Sequence, residues 1–92
     1  MLDNTNYHEK NWVVYLVRCC DDSLYCGITN DLPNRIKAHN KGTGAKYTRG
    51  RGPVELVAHS IFMSHYAAAR LECLVKSAPH NDKINVIQLY GR

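Results

Sequence analysis

The sequence predicts an α+β domain: a small three-stranded antiparallel sheet flanked by helices, in the order β-β-α-β-α. Three observations carry this. Two short runs rich in β-branched and aromatic residues, Trp12–Cys19 and Leu24–Ile28, stand either side of a short polar turn, the pattern of a hairpin. Two stretches with helical periodicity each follow a residue able to cap a helix, Asp31 and Ser64. Between them lies Val54–Ser60, which alternates enough to be a third strand. With 92 residues and a 45% apolar share, the chain can build one core and one domain, expected over residues 12–92.

In order, the chain opens on a polar leader, Met1–Asn11, carrying Asp3, Asn4, Asn6, His8, Glu9 and Lys10. This is not the charged-then-apolar layout of a secretory signal, so a frayed leader and a cytoplasmic location are expected. The longest apolar run, Trp12–Val17, is strand length and far short of the roughly 20 residues of a membrane helix. Asp21-Asp22-Ser23 turns the chain into the second strand. Gly27, inside that strand, marks a bulge or a place where another backbone or a ligand comes close. Asp31 caps a helix over Leu32–Lys41, with Pro33 in its first turn and Gly42 at its end. A glycine-rich basic loop, Gly42–Pro53, leads to the third strand. Ser64 caps a second helix over His65–Ser77, whose apolar face is Ala67, Ala68, Leu71, Leu74 and Val75, and Pro79 ends it. The tail from Asn81 to Tyr90 has room for one more short helix.

The net charge is +4 and the isoelectric point about 9.0. The distribution says more than the total. Arg35, Lys37, Lys41, Lys46, Arg49 and Arg51 fall within one stretch that holds no acidic residue. Such clustering is the electrostatic footprint of a phosphate-backbone binder, although a solvated basic face would look the same on charge alone. The four cysteines, Cys19, Cys20, Cys26 and Cys73, form no C-x-x-C pair and follow no export signal. They are expected as reduced thiols packed like small apolar groups, not as disulfides or a zinc site.

The hairpin then shows a recognisable pattern. Val14-Tyr15-Leu16 and Tyr25-Cys26-Gly27 resemble the two strand motifs for which GIY-YIG nucleases are named, with both tyrosines and the second glycine kept. Gly27-Ile28-Thr29-Asn30-Asp31-Leu32, followed by Arg35 and His39, is similar to that family's G-x-T-x-D-L-x-x-R-x-x-x-H pattern. Ala45-Lys46-Tyr47-Thr48-Arg49 resembles the loop of its small stand-alone bacterial members. Glu72 stands where the family has a metal-binding glutamate, with Lys76 one turn later. The resemblance spans Trp12–Lys76. Val14, Leu16 and Cys26 depart from the motif letters, and neither Asn81 nor Asn85 has a motif that marks it as the asparagine of larger members.

The resemblance implies a metal-dependent endonuclease that hydrolyses phosphodiester bonds in DNA, with a link to DNA repair. One divalent cation, Mg2+ or Mn2+, would be held by Glu72 as sole protein carboxylate, which suits an ion that keeps most of its waters. Arg35 would contact the scissile phosphate, since a guanidinium matches phosphate oxygens in a fork. An arginine near a helix N-terminus is also easier to understand with an anion to bind. His39, four residues on and on the same face, would accept a proton or bond a phosphate. Tyr15 or Tyr25 would help activate the water. Gly27 would let the backbone approach the phosphate or another strand closely, while Lys37, Lys41, Lys46, Tyr47, Arg49 and Arg51 would line the nucleic-acid track, Tyr47 stacking on bases. Ninety-two residues leave no room for the separate DNA-binding domains of larger members. Structure-selective or nonspecific cutting by a monomer or weak oligomer is therefore expected, with specificity lent by a partner protein where it exists. DNA is expected over RNA. The competing expectation is a nucleic-acid-binding module that uses the same basic groove without cutting.

Overall fold

The computed structural model describes residues 10–91, so most of the expected polar leader, residues 1–9, lies outside the described residues. Three strands, β1 (Val13–Arg18), β2 (Leu24–Thr29) and β3 (Glu55–His59), form one sheet in the order β2-β1-β3. Both neighbours run antiparallel to β1. Among the described residues there are three α-helices: α1 (Leu32–Lys41) between β2 and β3, α2 (His65–Ser77), and α3 (Lys83–Tyr90). The predicted α+β architecture is the one observed.

The central position of β1 follows from its composition. Val13 through Val17 are all buried, as expected of a continuous apolar run covered on both faces rather than one. Alternate residues serve opposite layers. Val14 and Leu16 join Cys26, Ala68, Leu71, Val75 and Ile87 in the larger core, beneath α2 and α3. Tyr15 and Val17 face the other way, with Cys19 and Val54, against Leu32 and Ile36 of α1. Val14, standing where the motif has glycine, is thus a fully buried core residue. The α1 layer is thinner in apolar contacts, and polar bonds hold much of it.

Both sequence-derived helix spans are reproduced. Asp31 accepts from the backbone N–H of Asn34, and Gly42 closes α1 at a φ of 80°, a left-handed geometry that glycine adopts without strain. Ser64 accepts from the N–H of Ala67 at the start of α2. The apolar face of α2 is narrower than expected: Ala68, Leu71 and Val75 are buried, whereas Leu74 is 53% exposed. The tail helix is confirmed as α3, after a 3-10 turn at His80–Asp82. Its Ile87 enters the core, and the Lys83 ammonium donates to the carbonyls of Val75 and Lys76 at the end of α2. Two expectations are corrected. The irregularity in the sheet lies between Leu16 and Val17 on the β3 side, and Gly27 pairs regularly with Tyr15. Only Cys19 and Cys26 are packed inside; Cys20 and Cys73 are exposed, and all four are free thiols.

Candidate active site

The site grows from the α1-facing side of the hairpin. Antiparallel register sets Tyr15 opposite Gly27, and Tyr25 opposite Val17, so both tyrosines point to the α1 layer. Their rings lie 6.3 Å apart. From α1, Arg35 and His39 reach the same place, one turn apart. The Tyr15 hydroxyl lies 2.7 Å from His39 Nε2 and accepts a hydrogen bond from Arg35 Nε–H at 3.3 Å. His39 Nδ1 lies 2.8 Å from Thr48 Oγ1, and that hydroxyl donates to the Ala45 carbonyl at 2.9 Å. Arg35, Tyr15, His39 and Thr48 therefore form one continuous chain through the α1 layer.

Two glycines make room for it. A Cβ on Gly27 would stand 2.6 Å from the Tyr15 hydroxyl oxygen and 2.8 Å from Cζ. A Cβ on Gly44 would stand 2.5 Å from His39 Nδ1 and 2.9 Å from the His39 Cα. The buried tyrosine ring thus gives the glycine of the second motif a packing reason of its own. Gly44 and Thr48 were not singled out from sequence. Gly44 is one of several glycines in the basic loop, and Thr48 appeared only as one letter of the Ala45–Arg49 loop pattern.

The electrostatics keep the chain neutral at its centre. Burial pushes the Tyr15 phenol up to about 12, against the hydrogen bond from Arg35, which pulls it down. Burial, and then the Arg35 charge, hold the His39 imidazole below its ordinary value. The bond to Tyr15 in turn keeps the Arg35 guanidinium more firmly protonated. Tyr15 is 0% and His39 1% exposed. Both His39 nitrogens are engaged inside, Nε2 with Tyr15 and Nδ1 with Thr48. The two tyrosines also part company: Tyr15 is sealed, Tyr25 is half-buried.

The basic loop is folded back over this chain. Tyr47 stacks on Tyr25 with ring centroids 5.9 Å apart, and the Arg51 guanidinium lies 4.3 Å from the Tyr47 ring centre. Arg51 donates to Asp21 at 3.1 Å and to the Tyr47 carbonyl at 2.9 Å, and its own carbonyl accepts from Cys20 N–H. Asn40 clips the far end of the loop by accepting from Val54 N–H at 2.7 Å. Tyr47 and Arg51 thus each hold internal partners while staying partly exposed. Lys37, Lys41, Lys46 and Arg49 are exposed and unencumbered by any ion pair among the described residues.

Glu72 comes from the other layer. It follows Leu71 on α2, its side chain 21% exposed, and pairs with Lys76 at 3.3 Å. Burial draws the Lys76 ammonium down, but the Glu72 carboxylate outweighs it and the net shift is upward. Burial drives the Cys26 thiol up to about 12 and the Glu72 charge adds to that, so the carboxylate sits near β2. The expected set is therefore divided. Tyr15, Tyr25, Arg35 and His39 share one face of the sheet, and Glu72 reaches the β2 edge from the opposite face. Asn81 and Asn85 are exposed. Among the described residues no three His, Cys, Asp or Glu side chains gather as a metal cluster.

Comparison with known proteins decides the relationship. The model of the GIY-YIG catalytic domain matches residues 11–85. The chain belongs to the GIY-YIG family. It is 51% identical to a UPF0213 protein of Clostridium perfringens over 74 residues, covering 80% of each chain. It is 47% identical to a UPF0213 protein of Vibrio cholerae over 83 residues, covering 89% of this chain and 82% of that one. The solution NMR structure of a UPF0213 protein from Bacillus halodurans aligns with a TM-score of 0.52 at 46% identity, over 87% of this chain and 85% of the other. A protein from E. faecalis, also solved by NMR, aligns with a TM-score of 0.60 at 30% identity, over 91% and 90%. The GIY-YIG domain makes this a nuclease-family chain. No helix among the described residues is long and apolar enough to cross a membrane.

Proposed function

We propose that this GIY-YIG domain is a divalent-metal-dependent endonuclease that hydrolyses phosphodiester bonds in DNA, acting by structure or without sequence preference. The carrying observation is the buried Arg35–Tyr15–His39 chain, which fixes one guanidinium beside a half-buried tyrosine under an open basic loop. Arg35 uses one of its five donors on Tyr15, and its terminal nitrogens fork onto the scissile phosphate. Tyr25, the member of the pair with an accessible side chain, orients the attacking water. Tyr15 and His39 hold Arg35. Lys37, Lys41, Lys46 and Arg49 bind the strand through its phosphates.

Glu72 fits a magnesium-type ion: a single, partly shielded carboxylate that already draws a cation, the Lys76 ammonium. A divalent cation there supplies charge neutralisation at the phosphate and a lowered water pKa. The same ion pair is what favours the second reading, a non-cutting nucleic-acid-binding module, because Lys76 already satisfies Glu72.

One experiment separates them. The purified protein is incubated with labelled single-stranded, duplex and branched DNA, and with RNA, in magnesium, manganese or chelator. Glu72→Ala and Arg35→Ala are run alongside. Metal-dependent cutting of DNA that both variants lose is expected. Binding without cutting in either metal makes the chain a binding module, and cutting that survives Glu72→Ala places the chemistry elsewhere.

A further inference from the structure

We propose that Thr48 is a positioning residue: it fixes the tautomer of His39 and, through Tyr15, the direction of the hydrogen bond that orients Arg35. The inference rests on the phosphate-binding role just given to Arg35, but its geometry stands independently. It begins from which groups can only donate. Arg35 Nε–H can only donate, so the Tyr15 oxygen accepts from it. At the far end, the Thr48 hydroxyl donates to the Ala45 carbonyl at 2.9 Å, beside the Thr48 N–H that the same carbonyl accepts at 3.1 Å. Thr48 Oγ1 is then an acceptor toward His39, and Nδ1 must carry the proton across the 2.8 Å contact.

A neutral imidazole has one N–H. With Nδ1 protonated, Nε2 presents its lone pair to Tyr15, which donates across 2.7 Å. Every group is then satisfied, in one direction: Arg35 to Tyr15 to His39 to Thr48 to the Ala45 carbonyl. The opposite tautomer breaks the chain at Tyr15 and weakens it at Thr48. Nε2–H and Arg35 Nε–H would both donate to the Tyr15 oxygen, leaving its own proton without a partner in a site where Tyr15 is 0% exposed. Nδ1 would draw the Thr48 proton away from the Ala45 carbonyl, which would keep only the Thr48 N–H. Burial and the Arg35 charge, which lower the His39 pKa, disfavour the doubly protonated form.

The loop is built to keep Thr48 in place. Thr48 sits in a 3-10 turn, Lys46–Thr48, and is 1% exposed between exposed neighbours. Gly44 leaves the gap the imidazole needs. A loop whose charged side chains read as a phosphate track therefore also carries, on its inner side, the residue that sets the polarity of the site.

The test reads the tautomer directly. Long-range proton–nitrogen NMR of the metal-free protein should show His39 with a protonated Nδ1 and a bare Nε2. Thr48→Val should move His39 toward the Nε2–H form, or a mixture, and Thr48→Ser should restore the parent pattern. In the cleavage assay, Thr48→Val should lower turnover by roughly 10-fold or more, on the scale known for the orienting partners of metal-bound histidines, with Thr48→Ser recovering most of it. A wild-type His39 protonated on Nε2 overturns the proposal without any variant. So does a folded Thr48→Val protein that keeps Nδ1–H. Absence of cleavage by the wild-type protein counts against the endonuclease reading alone, since the tautomer still decides the role of Thr48.

Discussion

Gly27→Ala tests the packing at the heart of the site. Gly27 has ordinary extended backbone, so alanine is conformationally allowed and would by itself stabilise the strand by roughly 0.5–1 kcal/mol through lower chain entropy. Against that, its Cβ would stand 2.6 Å from the Tyr15 hydroxyl oxygen and 2.8 Å from Cζ. The ring cannot swing outward, because its oxygen is bonded to both His39 and Arg35 and the side chain is fully buried. Overpacking of this kind costs about 1–3 kcal/mol. Forcing the hydroxyl off His39 removes a further net 1 kcal/mol or so. Strain outweighs entropy, and the net loss is about 1–3 kcal/mol. For a domain of this size that lowers Tm by roughly 5–20 °C.

The assay is thermal unfolding by circular dichroism on four proteins: wild type, Gly27→Ala, Tyr15→Phe and the double variant. Removing the oxygen relieves the closer of the two contacts. Gly27→Ala should therefore cost less in the phenylalanine background, by about 0.5 kcal/mol or more, with Cζ retaining part of the clash. A Gly27→Ala protein as stable as wild type, or two strictly additive substitutions, would falsify the claim that Gly27 is there to admit the tyrosine.

Four further outcomes follow from the same geometry. Tyr25→Phe should cost cleavage with little loss of Tm, whereas Tyr15→Phe should lower both, since it strips a buried partner from His39 Nε2 and Arg35 Nε; equal thermal losses would contradict the division of roles. Because folding depresses the His39 pKa below about 6.5, the unfolded chain binds the extra proton first on acidification. Stability should therefore fall as pH drops from about 7 through 6, more in the wild type than in His39→Gln, as read by Tm against pH; parallel curves would remove His39 as the cause. Replacing Lys46 and Arg49 together by glutamine should weaken DNA binding evenly across sequences and reduce the slope of log affinity against log salt by about 1 to 2, measured by fluorescence anisotropy; an unchanged slope would show that these side chains do not meet phosphate. Lys76→Ala should lower the magnesium concentration needed for cleavage by freeing Glu72 from its ion pair, and a higher one would mean that Lys76 assists the site rather than competing in it.

Much of the fold was legible because its signals are local. Asp31, Pro33 and Gly42 bound α1, and Ser64 starts α2, through bonds that close within a few residues, so composition and spacing suffice to read them. The continuous apolar run of β1 announces a strand covered on both faces. Leu74 was misread for the complementary reason. Helical periodicity says that a residue lies near an apolar stripe, but the width of that stripe depends on how α3 and the sheet approach α2.

The candidate site divides the same way. Both tyrosines, Arg35, His39 and Glu72 are recognisable as letters of a pattern, and the i, i+4 spacing alone sets Arg35 and His39 on one helix face. What they touch depends on contacts between residues far apart in the chain. Tyr15 meets His39 across 24 positions and Arg35 across 20. The antiparallel register sets Tyr15 opposite Gly27 and gives that glycine a packing reason of its own, the space for a phenol. The fold of the loop brings Thr48 under His39, and spends Tyr47 and Arg51 on Tyr25 and Asp21. Sequence by itself determined the secondary structure, the family pattern and the charge. Only the tertiary structure decided which tyrosine is sealed and which is open, that His39 faces inward, and that Glu72 approaches from the opposite layer. Burial and hydrogen-bond direction are properties of the packed chain, and no single segment carries them.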